Sequence, residues 1–145
     1  FTLPIKRKPC PEDTTSEKSK NQYNWTEKQI LVVEDDPACQ KYVREALKPT
    51  GIKITICENG IKGINEFKSQ GQYSLILMDI KLPDKDGLQI TREIRQIDQN
   101  IPIIATTAYA MQKDKTEAIE AGCNDYLAKP LDKKKLLELI KSYIS

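Results

Sequence analysis

The stretch ILVVEDDP, residues 30–37, sets four consecutive apolar residues directly before three acids and a proline. Strict alternation would mark a strand with one wet face. An unbroken apolar run that ends in turn-forming residues marks a strand covered on both faces, as in a parallel sheet. The pattern recurs: Leu75–Met78 runs into Asp79, and Ile103–Ala105 runs into Thr106 and Thr107. Working outward, the candidate strands are Ile30–Val33, Ile52–Cys57, Ser74–Met78, Pro102–Thr106 and Asp125–Leu127.

Helical stretches separate them. The first runs from about Pro37 to Lys48, with Pro37 suited to a first turn, Asp36 as its cap, and Val43 and Leu47 on one face. The second covers Ile61–Ser69. The third, Gly87 to Ile97, aligns Ile90, Ile94 and Ile97. The fourth, Gln112–Ala121, stops at Gly122, and the last, Asp132–Tyr143, aligns Leu136, Ile140 and Tyr143. Five strands alternating with five helices predict an α/β fold, (βα)5, doubly wound around a five-stranded parallel sheet.

Length and composition agree with one domain. The chain has 145 residues, of which 39% are hydrophobic and 30% charged, enough for a single core. No apolar run approaches the ~18 residues that span a bilayer. Histidine is absent, which excludes Ser-His and Cys-His nucleophile pairs, His-containing zinc sites and any phosphohistidine on this chain. Cys10, Cys39, Cys57 and Cys123 lie far apart without C-x-x-C spacing and read as reduced, mostly buried side chains of a cytoplasmic protein. The net charge of +2 resides in residues 1–25, and no basic stripe with interleaved aromatics appears, so direct nucleic-acid binding is not expected.

The composition changes near Trp25. Residues 6–27 read as a linker, rich in polar residues and poor in aliphatic ones, and residues 28–145 as the folded domain. Residues 1–5, FTLPI, are apolar and β-prone, like the stub of a strand from an upstream domain of a longer protein.

In open α/β sheets, ligands bind outside the carboxyl ends of the strands. There the sequence puts Glu34, Asp35 and Asp36 after the first strand and Asp79 after the third. Thr106 and Thr107 follow the fourth, and Lys129 and Pro130 the fifth. Clustered carboxylates repel unless a cation neutralises them or some stay protonated. With oxygen ligands only, the natural cation is Mg²⁺. Such a pocket can support phosphoryl transfer, with Asp79 as nucleophile and Thr107 and Lys129 holding the transferred oxygens. Each residue alone has a plainer reading: Asp36 as a helix cap, Asp86 as turn chemistry, Asp79 as a loop acid, Thr107 as a small hydroxyl, Lys129 as a solvated cation. Their joint placement favours the site.

The motifs ILVVEDD (30–36), LILMDIKLPDKDG (75–87), PIIATTAYA (102–110) and GCNDYLAKP (122–130) together resemble the receiver domain of two-component signalling, over about Gln29–Ser145. The resemblance implies a flavodoxin-like receiver fold with strand order 2-1-3-4-5. It implies that Asp79 accepts a phosphoryl group from a partner's phosphohistidine, and that Mg²⁺ is bound by Asp35, Asp79 and the backbone carbonyl of Lys81, with Glu34 acting through water. Thr107 and Tyr126 match the residues that rearrange on phosphorylation, and the Lys129–Pro130 bond is expected to be cis. Two residues depart from the family pattern: Glu34 stands where Asp is commoner, and Cys39 where receivers joined to kinases often have Asn.

FTLPI is similar to the closing strand of a histidine-kinase ATP-binding domain, which points to the C-terminal receiver of a hybrid histidine kinase. The parent would then be a kinase that a membrane anchor elsewhere could hold, although this fragment holds no kinase core and no span. The implied partners are a kinase dimerisation helix or a histidine phosphotransfer domain, met through the strand edge and the first helix at Cys39, Gln40 and Val43. The surface around the fourth and fifth helices would respond to phosphorylation and could carry a homodimer. The alternatives are a stand-alone single-domain response regulator, an interaction-only module, and an FMN-binding flavodoxin-like domain. The last is disfavoured because Glu-Asp-Asp replaces the phosphate loop.

Overall fold

The computed structural model describes residues 24–70, 72–108 and 112–144. The proposed stub at 1–5 and most of the linker lie outside the described residues. The elements are β1 (Gln29–Val33), α1 (Pro37–Leu47), β2 (Lys53–Cys57), α2 (Gly60–Gln70), β3 (Leu75–Asp79), α3 (Gly87–Ile97), β4 (Ile103–Thr107), α4 (Gln112–Ala121), β5 (Asp125–Ala128) and α5 (Lys133–Ile144). The strands form one parallel sheet in the order β2-β1-β3-β4-β5.

Successive side chains of a strand point to opposite faces, so each apolar run feeds two cores. Leu31, Val33, Ile76, Met78, Ile103 and Ala105 pack with α2, α3 and α4. Ile30, Val32, Leu75, Leu77 and Ile104 pack with α1 and α5 on the other face. An alternating sequence could not have filled both layers. The helices begin where acids can take their free N–H groups: Asp36 accepts from Ala38 at 3.0 Å, and Asp86 from Leu88 at 2.9 Å.

Three readings need correction. Trp25, placed in the linker by composition, is 3% exposed and belongs to the α1–α5 core, with its backbone N–H bonded to the Thr50 carbonyl at 2.8 Å. One large aromatic in a polar stretch is invisible to an average over that stretch. Ile97 is 51% exposed although it aligns with Ile90 and Ile94; it ends α3, and Ile101 from the following loop is buried instead. Periodicity identifies a helix face but not where the sheet beneath it stops. Finally, β3 and β4 extend one residue further than side-chain character indicated, which makes Asp79 and Thr107 the last residues of their strands. Asp79 pairs with Thr106 and Thr107 with Ala128, because the backbone ladder is indifferent to side-chain polarity.

Trp25→Ala should lower the unfolding free energy by about 3 kcal/mol, the usual cost of emptying a buried aromatic site. Urea unfolding would measure it, and a loss no larger than that of an exposed-site variant would put Trp25 back in the linker.

Candidate functional site

Strand order reverses between β1 and β3, so the crevice of this fold opens at their carboxyl ends. Glu34, Asp35 and Asp36 leave β1 there, and Asp79 ends β3 beside them. Glu34 and Asp79 are each only 3% exposed. A buried carboxylate needs a counter-charge and hydrogen bonds, or it stays protonated.

Lys129, just past β5, supplies the counter-charge. Its Nζ lies 2.8 Å from Glu34 Oε2 and 3.5 Å from Asp79 Oδ2. Backbone supplies the hydrogen bonds: Asp36 N–H donates to Glu34 Oε1 at 3.1 Å, and Lys81 N–H to Asp79 Oδ1 at 3.1 Å. Lys129 is itself located by its own N–H, which donates to the Thr107 carbonyl at 2.7 Å, and the Lys129–Pro130 bond is cis.

The protonation energetics follow from this crowding. Burial, then the neighbouring Glu34 charge, push the Asp79 carboxyl up to about 7, against the pull of Lys129 and the Lys81 N–H. Burial alone would lower the Lys129 ammonium, but Glu34 and Asp79 hold it above its ordinary range. Cys39, on α1, is pushed up to about 12 by burial and by Glu34, and so is a poor nucleophile.

Carboxylate oxygens of Glu34, Asp35 and Asp79 all lie within 4.8 Å of one another. An all-oxygen set with one exposed member, Asp35, suits a hard divalent cation that keeps part of its water shell. The residues present therefore fit Mg²⁺. The close approach of α3 depends on Gly87, since a Cβ there would fall 2.1 Å from the Asp79 carbonyl oxygen.

The other predicted residues fall around this centre. Thr107 is 1% exposed at the end of β4, next to β3. Tyr126 is half-buried on β5, with Lys115 Nζ of α4 held 5.3 Å from its ring centroid. Of the α1 residues expected to face a partner, Cys39 and Gln40 are half-buried and Val43 is core at 1% exposure. Exposed Ala38, Lys41 and Glu45 of α1, with half-buried Tyr42, line a groove shared with Lys133 of α5. Sequence reading gave Gln40 to the partner face and missed that its side-chain amide donates to the Glu34 carbonyl; it also missed Asp84, which caps α2 from another loop. Gln40 follows the Asp36 cap by one helical turn, a spacing that could have flagged it. Asp84 and α2 are distant in sequence, and no local pattern joins them.

The response regulator receiver domain family matches residues 30–141. Among curated proteins, the chain is 39% identical over 123 residues to hybrid signal transduction histidine kinase I of Dictyostelium discoideum. That match covers 79% of this chain and 7% of the relative, so the chain spans a small part of that protein. It is 34% identical to the polar-differentiation response regulator DivK of Brucella anthropi, covering 81% of this chain and 96% of the relative. Among solved structures, the receiver domain of sensor histidine kinase PA1611 from Pseudomonas aeruginosa, with a magnesium ion coordinated in its active-site cleft, aligns with a TM-score of 0.75. The two are 39% identical, over 81% of this chain and 97% of that one. The Saccharomyces cerevisiae receiver domain of Ssk1, solved with the histidine phosphotransfer protein Ypd1, aligns with a TM-score of 0.76 at 30% identity, over 81% and 88% of the chains. With matching motifs, strand order and acidic crevice, the chain belongs to the response regulator receiver domain family of two-component signalling.

Proposed function

We propose that Asp79 is a phosphoacceptor, loaded in the presence of Mg²⁺ from a partner's phosphohistidine. The observation that carries this reading is the buried Glu34–Lys129–Asp79 cluster beside exposed Asp35, a set of acids that a divalent cation would relieve. Asp35, Asp79 and the Lys81 carbonyl would hold Mg²⁺, with Glu34 in its outer shell. When bound, the ion supplies charge neutralisation for the carboxylates and the transferring oxygens.

The chain's own groups do the rest. One oxygen of the Asp79 carboxylate attacks phosphorus while the P–N bond to the donor imidazole breaks. The electron pair returns to the imidazole nitrogen, which takes up a proton, and Asp79 becomes a mixed carboxylic–phosphoric anhydride. Lys129 Nζ, already 3.5 Å from Asp79, would pair with a phosphoryl oxygen, and the Thr107 hydroxyl with another. Rearrangement of Thr107 and Tyr126 would then report the phosphorylated state through the α4–β5 surface. The α1–α5 groove at Lys41, Tyr42 and Lys133 would offer the surface for a histidine-bearing helix.

Similarity to receivers of hybrid and sensor histidine kinases supports a place in a hybrid kinase, acting in the cytoplasm. Similarity to DivK over nearly the whole of that protein supports the second reading, a stand-alone regulator. Among the described residues no helix is long and apolar enough to cross a membrane.

Intact mass after incubation with acetyl phosphate and Mg²⁺ should rise by one phosphoryl group in the wild type and not in Asp79→Asn. Lys129→Met should slow loading by roughly a hundredfold. A wild type that stays unmodified with both acetyl phosphate and a phosphohistidine donor would end the phosphoacceptor reading.

The raised Asp79 carboxyl also predicts a stability profile. Unfolding returns the group to its ordinary value of about 4. The folded state therefore holds the extra proton between about 4 and about 7, and stability falls as pH rises through that window. Asp79→Asn should melt higher than wild type at pH 8, by a margin that shrinks toward pH 5. Mg²⁺ at pH 8 should narrow the margin by stabilising only the wild type. Equal melting temperatures across the range would mean that Asp79 is not strained by its burial.

A further inference from the structure

The loop from Ile80 to Asp86 connects Asp79 to α3 and carries Lys81, whose carbonyl is a proposed cation ligand. Bonds within the loop close its base. Lys81 and Asp86 pair as an antiparallel bridge, and Gly87 N–H donates to the Ile80 carbonyl at 2.9 Å. The tip is fastened from outside. Lys85 Nζ pairs with Glu93 of α3 at 2.7 Å, and Asp84 reaches across to α2.

Both oxygens of Asp84 are engaged there. Oδ1 accepts from Gly60 N–H at 2.9 Å and Oδ2 from Ile61 N–H at 3.0 Å, while Lys85 N–H adds a bond to Oδ1 at 2.9 Å. The opening N–H groups of a helix have no acceptor within it, and the positive end of its dipole favours an anion. Asn59, the residue before α2, takes the Lys62 N–H at 2.8 Å, and the first intrahelical bond runs from Gly63 N–H to the Asn59 carbonyl. Asn59 and Asp84 thus divide the free donors: one caps the helix from its own segment, the other from the cation-site loop. Gly60 permits the approach, since a Cβ there would lie 2.9 Å from the Ile90 side chain and 3.4 Å from Lys85 Cβ.

We infer that Asp84 is a positioning residue: by tying the loop tip to the start of α2 it fixes where the Lys81 carbonyl stands relative to Asp35 and Asp79. The inference rests on the proposed cation site. It makes α2 part of the framework of that site, although α2 contributes no ligand to it.

The test compares wild type, Asp84→Ala, Asp84→Asn and Asn59→Ala by Mg²⁺ titration, calorimetric or through amide shifts, and by amide hydrogen exchange without metal. Asp84→Ala should weaken Mg²⁺ binding by about tenfold, the low end for loss of a group supporting a ligand. It should also speed exchange at Gly60, Ile61 and Lys85 in metal-free protein. Asp84→Asn, which keeps one acceptor oxygen, should recover part of the affinity. Asn59→Ala should lower the melting temperature and leave Mg²⁺ affinity in place. The inference is overturned if Asp84→Ala binds Mg²⁺ like wild type, or if Asn59→Ala weakens binding as much, which would reduce the effect to helix stability. A wild type that binds no Mg²⁺ would instead overturn the cation-site reading, and this inference with it.

Discussion

A single ammonium group, Lys129 Nζ, stands between two buried carboxylates, and the carboxyl end of the sheet is arranged around that fact. Glu34 and Asp79 are nearly inaccessible to water, so each needs a partner inside the protein. Lys129 lies much nearer to Glu34, at 2.8 Å, than to Asp79, at 3.5 Å. The distribution is unequal. Glu34 has the close ion pair and a backbone N–H, whereas Asp79 has the longer contact and one N–H. Burial first, and then the neighbouring Glu34 charge, raise the Asp79 carboxyl at the end of the strand next to the switch point.

The sheet delivers these groups together because its strands are parallel. Every strand ends on the same edge, so the residues at or just past the ends of β1, β3, β4 and β5 converge without any long-range feature in the sequence. The same parallelism demands two covered faces, met by α1 and α5 on one side and α2, α3 and α4 on the other. Packing and chemistry are consequently set by one topology: the apolar runs fill the layers, and polar residues at the end of the runs stand at the crevice.

That coupling explains what could be read in advance. The runs at 30–33, 75–78 and 103–105 revealed both the fold and the edge where Glu34, Asp79 and Thr107 stand. Asp36 was legible as a cap because a cap and its helix are adjacent in sequence, whereas Asp86, read as turn chemistry, turns out to cap α3 through the Leu88 N–H. Trp25 was not legible, since its burial depends on a core assembled from α1 and α5. Val43 was assigned to the partner face, but the stripe that made it conspicuous is the stripe the core claims. The Glu34–Lys129 pair spans most of the domain, and the Asp84 cap on α2 joins segments with no shared pattern. Contacts of this kind follow from the assembled sheet and leave no periodic trace.

The charge count at the crevice also bears on why such a site is kept. Three carboxylates face one lysine, and if all were ionised the crevice would carry excess negative charge in a poorly solvated place. Metal-free protein can relieve this by holding a proton on Asp79, at a cost to stability that grows with pH. A divalent cation would relieve it without the proton and would leave Asp79 as an ionised carboxylate, the form that the proposed phosphoacceptor role requires. The strain that weakens the resting fold is thus the same quantity that would favour cation binding. A better-neutralised crevice, with a second lysine beside Asp79, would make a more stable domain and a weaker cation site.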